Sequence, residues 1–143
     1  MVAPTSLVQA LTAAKWLSDR HTVTLEQQTL ADFINNGTYE RYLREVRRRN
    51  NAKRGVLLEA IHKYLGKRVE VTGGGAGAHV VVWPRKPVQE ESMVRSVALS
   101  GVRIYGISPY FLRKPTRAGF LLGYARLKEH EIKEGIKRLT CIL

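Results

Sequence analysis

The spacing of apolar residues changes character once along the chain, near residue 66. Ahead of that point the period is helical. Leu7, Ala10, Leu11, Ala14 and Leu17 recur three and four apart after Pro4, which predicts one amphipathic helix. Thr24-Leu25-Glu26-Gln27 has the pattern of a capping box, so a second helix is expected from about Leu25 to Asn35, stopped by Asn36-Gly37. A longer helix is expected from about Tyr39 to Leu65, with Leu43, Val46, Leu57, Leu58, Ile61 and Leu65 on its inner face and Gly66 closing it.

Beyond residue 66 the pattern becomes extended. Arg68 to Thr72 alternates polar and apolar, as a half-exposed strand does, and His79 to Trp83 is a continuous apolar run. The glycine-rich stretch Gly73 to Gly77 between them reads as a hairpin connection. Gln89 to Ser100 is helical through Met93, Val94, Val97 and Ala98, with Gly101 as its stop. Val102 to Tyr105 and Gly119 to Tyr124 read as strands flanking a loop, and a last helix carries Ile132, Ile136 and Leu139 inward. The expected fold class is α/β of the α+β kind: N-terminal helices, then a mainly antiparallel β-β-α-β-β-α sandwich with helices on one sheet face. Residues 1–66 are expected to form a helical segment and 67–143 a small α/β domain.

Composition narrows the setting. The 143 residues suit one ordinary domain with a real core. No run approaches the roughly 18 apolar residues of a membrane span. The first residues lack the basic start and apolar run of a signal peptide, and the single cysteine, Cys141, permits no intrachain disulfide. A cytoplasmic protein is expected. Cys141 is expected to be a small buried hydrophobe of the final helix.

Charge raises a different question. Twenty-four Lys and Arg stand against twelve Asp and Glu, a net charge of +12, which favours polyanionic partners. Seven of the cations fall between Arg41 and Arg54 on one predicted helix. Arg44 and Arg48 share a side and are the candidates for phosphate contact. Arg47 and Arg49 point elsewhere, and aromatic interleaving stops at Tyr39 and Tyr42, so a solvated helix face is the reading to prefer. The glycine loop leads into a strand and not a helix, and no Gly-Lys-Ser/Thr follows it, which argues against a nucleotide loop. His21, His62, His79 and His130 are scattered without ligand spacing. No complete catalytic constellation and no metal site is visible.

Several ordered blocks resemble MocR-type regulators, a GntR subfamily that joins a winged-helix DNA-binding domain to a fold-type I aminotransferase-like domain. The blocks are Ala14-Lys15 with Asp19-Arg20-His21 and Leu25-Glu26-Gln27; Leu30 to Gly37 with Arg41-Tyr42-Leu43-Arg44; and Gly77 to Trp83. Ser108-Pro109-Tyr110-Phe111, Leu122-Gly123-Tyr124-Ala125 and Glu131 to Leu139 follow in the same order. The resemblance covers nearly the whole chain and implies the C-terminal, small-domain part of such a protein. Met1 to Pro4 resembles the end of a large-domain strand. The winged helix, the Schiff-base lysine and most cofactor ligands would then lie upstream.

Several expectations follow from that likeness. Pyridoxal phosphate is the cofactor of the full-length relative, and none is expected to be held covalently by this chain, since an aldimine needs a positioned amine. The chain is expected not to be an enzyme by itself but an effector-sensing, dimer-forming module. Its partners would be a large domain, a winged-helix domain and a second copy, with no membrane and no direct DNA contact. A small domain of a true aminotransferase and a free-standing basic nucleic-acid-binding domain are the alternatives. The cleft residues implied are His79, Ser108, Tyr110 and Arg117. Where many relatives hold a substrate carboxylate with an arginine, this chain has Leu121, and Arg117 is the candidate substitute. Tyr42 stands in place of a usual histidine and Asn50 in place of a usual tyrosine.

Overall fold

A computed structural model describes residues 3–18, 23–73, 77–113 and 115–142. Met1 and Val2, the Asp19-Arg20-His21 block and the middle of the glycine stretch lie outside the described residues. Among the described residues there are five α-helices: α1 (Val8–Ser18), α2 (Thr24–Asn35), α3 (Thr38–Tyr64), α4 (Glu90–Leu99) and α5 (Glu129–Leu139). Four strands, β1 (Val69–Thr72), β2 (His79–Pro84), β3 (Tyr105–Gly106) and β4 (Phe120–Gly123), make one antiparallel sheet in the order β1-β2-β4-β3. None of the described helices is long and apolar enough to cross a membrane.

The chain divides into two compact units, one ending at Arg44 and the other starting at Glu45, so the division falls inside α3. In the first unit α1 and α2 bury no residue. The expected capping box at Thr24 does not form. Thr24 is already helical, Val23 is the N-cap without a side-chain bond, and Gln27 donates its amide to the Val23 carbonyl at 3.2 Å. The stop at the other end is as the sequence reads: Gly37 takes φ 74°, a region that favours glycine. Asn36 Oδ1 then accepts the Thr38 amide at 2.9 Å, starting α3.

The second unit holds the core. Strand alternation sends Val69, Val80, Val82, Phe120 and Leu122 to one sheet face. There they cluster with Leu57 and Ile61 of α3, Met93 and Val97 of α4, and Ile132, Ile136 and Leu139 of α5. The C-terminal half of α3 therefore belongs to this core. Ala60 takes a buried place on its inner face, whereas Leu58 is only half-buried. The expected strand at Val102–Tyr105 is shorter than its pattern suggests, pairing with β4 only through Tyr105 and Gly106. Arg68 ties two helix ends together: its guanidinium donates to the carbonyls of Tyr64 at 2.6 Å and Thr140 at 3.2 Å. Cys141 is exposed in the turn after α5, because that helix ends at Leu139 and its buried stripe ends there too.

Candidate functional site

With α3, α4 and α5 on one sheet face, the register sorts the other face into rows. Thr72 of β1, Val81 of β2, Leu121 of β4 and Tyr105 of β3 are successive partners, so their side chains form one row across four strands. Leu121, at the place the resemblance gives to a carboxylate-holding arginine, sits in the middle of that row and is half-exposed.

On one side of the row lies an ion pair stacked on an indole. Arg117 Nη1 donates to Glu70 Oε2 at 2.9 Å, and its guanidinium carbon stands 4.4 Å from the centre of the Trp83 ring. Trp83 in turn donates Nε1 to Thr72 Oγ1 at 2.7 Å. The indole can lie there because residue 119 is glycine. A Cβ at Gly119 would meet the indole at 2.9 Å and Ile107 Cδ1 at 2.7 Å. The Arg117 hydrogen bond holds the Glu70 carboxyl below the usual carboxylate range, with the cation's field adding to it. Arg117 is thus engaged within the chain, and a ligand carboxylate there would have to compete with Glu70.

His79 lies on the other side of the row, opposite Gly123. Its imidazole lies across the glycine, where a Cβ would stand 3.1 Å from Cδ2. From there an open groove of about 760 Å³ runs between the end of β4 and the start of α5, lined among others by Arg103, Tyr105, Gly123, Arg126, Leu127 and His130. Both carboxylates along it are engaged. Glu131 Oε2 accepts the Lys128 amide at 2.6 Å, and Glu134 Oε1 accepts Arg138 Nε at 2.9 Å.

The four expected cleft residues are not gathered into one site. His79 and Arg117 sit on opposite sides of the row. Ser108 donates its amide to Glu90 Oε1 at 3.1 Å beside α4, and Tyr110 is exposed. Arg44 and Arg48 each pair on their own helix, with Glu40 at 2.9 Å and Glu45 at 3.0 Å. Sequence reasoning missed Arg103 and Arg126. Alternation through Val102-Arg103-Ile104-Tyr105 was the available signal, since it sets Arg103 on the side of Tyr105 while Ile104 is buried.

No protein-family model matches the chain. The HTH-type transcriptional regulator YhdI of Bacillus subtilis is 32% identical over 139 residues, which are 97% of this chain and 30% of that protein. The probable rhizopine catabolism regulatory protein MocR of Rhizobium meliloti is 29% identical over 115 residues, 80% of this chain and 23% of that protein. The likeness is to MocR-type regulators, in the C-terminal part of their aminotransferase-like domain. The MocR-like chain also shares its fold with LysN, the α-aminoadipate aminotransferase of Thermus thermophilus, at TM-score 0.83 and 30% identity. That match covers 99% of this chain and 36% of the enzyme, whose structure holds N-(5'-phosphopyridoxyl)-L-leucine. The chain spans about a third or less of the length of these proteins.

A pyridoxal cofactor in such a fold needs an amine for its aldehyde and an acid for its ring nitrogen. None of the groove residues is a lysine, and the half-buried Lys53 donates Nζ to the Ala125 carbonyl at 2.7 Å.

Proposed function

We propose that this chain is the small-domain module of a pyridoxal-phosphate-dependent regulator of the MocR/GntR type, sensing an effector and supporting dimer formation in the cytoplasm. It works with a large domain that supplies the Schiff-base lysine and with a winged-helix domain that binds DNA. The observation that carries this reading is the open sheet face with leucine at its centre. A transaminase of this fold would want a cation for its substrate's carboxylate there, whereas an apolar row flanked by an already paired arginine suits a ligand-sensing lid. The regulator likeness over 97% of the chain points the same way.

Two experiments test it. The purified chain is mixed with pyridoxal phosphate, reduced with borohydride and weighed by mass spectrometry; a single lysine adduct at unit stoichiometry would overturn the proposal. Sequencing the coding locus upstream then separates a winged-helix regulator from a plain aminotransferase, the reading that the Thermus enzyme's 30% identity favours. Direct DNA contact is not part of the proposal, because Arg44 and Arg48 are paired with glutamates of their own helix. A salt titration with duplex and single-stranded probes should therefore show no steep slope.

A further inference from the structure

The groove beside His79 has a chemical bias of its own. Its floor and walls are largely apolar, through Val102, Tyr105, Tyr124, Ala125 and Leu127. Basic side chains stand along it. The side chains of Arg103, Arg126, His79 and His130 are exposed and make no hydrogen bond or ion pair among the described residues. The two acids that could offset them are bound to the Lys128 amide and to Arg138. His130 also lies in the first turn of α5, an eleven-residue helix whose N-terminal dipole end attracts negative charge. Glycine at 123 completes the shape, since a side chain there would push the His79 ring aside.

We propose that this groove is a binding site for a small organic anion with an apolar body. Arg103 and Arg126 hold the carboxylate or phosphate, and Tyr105 and Leu127 cover the apolar part. Guanidinium forks suit either head group, because both present paired oxygens to two parallel N–H donors. The site lies on the far side of the open row from Arg117 and does not depend on the regulator reading. An occupied groove would join the end of the sheet to the start of α5.

The test uses the full 143-residue chain and three probes in titration calorimetry: 4-phenylbutyrate, phenyl phosphate and the neutral 4-phenylbutyramide. At least one anion should bind, with the amide weaker by about tenfold or more, the worth of one charge-assisted contact. Comparing the two anions identifies the preferred head group. The double variant Arg103→Gln/Arg126→Gln should lose about tenfold or more for the anion. Arg85→Gln, an exposed cation outside the groove, should lose nothing. Circular dichroism checks the fold of each variant; should the glutamine pair fail to fold, Arg103→Lys/Arg126→Lys keeps the charge and should still bind more weakly. No binding by either anion, equal binding of acid and amide, or a folded double variant with unchanged affinity overturns the proposal.

Discussion

Residues 45–143 gather side chains from three strands and three helices into one buried cluster, whereas α1 and α2 in the unit ending at Arg44 bury none of theirs. Both regions carry regular apolar stripes. Leu17 is 77% exposed and Leu25 72%, while Phe120 and Val97 are at 1% or less. Helical periodicity therefore reports that a face is meant to be covered, not that it is covered within the same unit. The exposed stripe is the larger reason to expect association, because contiguous apolar surface of this kind is seldom left to water. Sedimentation should show the chain self-associating with rising concentration; a clean monomer throughout would break that half of the comparison.

The contrast predicts a graded series of stabilities. Phe120→Ala should cost about 3–5 kcal/mol in denaturant unfolding, since the ring is enclosed between sheet and helices. Leu17→Ala and Leu25→Ala should each stay within about 0.5 kcal/mol in the monomer, as surface changes do. Gly119→Ala should cost about 1–3 kcal/mol, because the new methyl overlaps Trp83 and Ile107. Tyr124→Phe should cost about 1 kcal/mol by removing the 2.9 Å bond from its hydroxyl to the Gly77 carbonyl.

The smallest effect is electrostatic. Glu70 titrates below its ordinary range because Arg117 favours its charged form. The folded value is depressed, so the pair's contribution is fully present above the unfolded carboxylate value and fades as pH falls through the folded one. Its exposure to solvent keeps it modest. In a Trp16→Phe background, Trp83 fluorescence should report the loss on acidification, and Glu70→Gln should abolish that acid transition.

Most of the second unit's architecture was legible because its signals are local. Alternation marked β1, a continuous apolar run marked β2, Gly119 to Tyr124 read as the strand that became β4, and Gly101 marked the end of α4. The Thr24 pattern misled because a backbone carbonyl one residue earlier can accept the same amide that a capping side chain would take. The site was harder to read. Glu70 and Arg117 meet across 47 residues, and Trp83 reaches Arg117 only because position 119 has no side chain, so neither relation leaves a spacing to recognise. Arg103 and Arg126 are ordinary single cations in the sequence. They share a groove because β4 and the turn after it bring their segments together.

The bridge made by Arg68 has a kinetic meaning. One side chain satisfies backbone acceptors at the close of α3 and just past α5, the second of them 72 residues from Arg68 along the chain. Helix ends normally fray independently of one another. Here, fraying at either end gives up contacts of the same guanidinium, so hydrogen exchange at the last turns of α3 and α5 should rise together in Arg68→Ala.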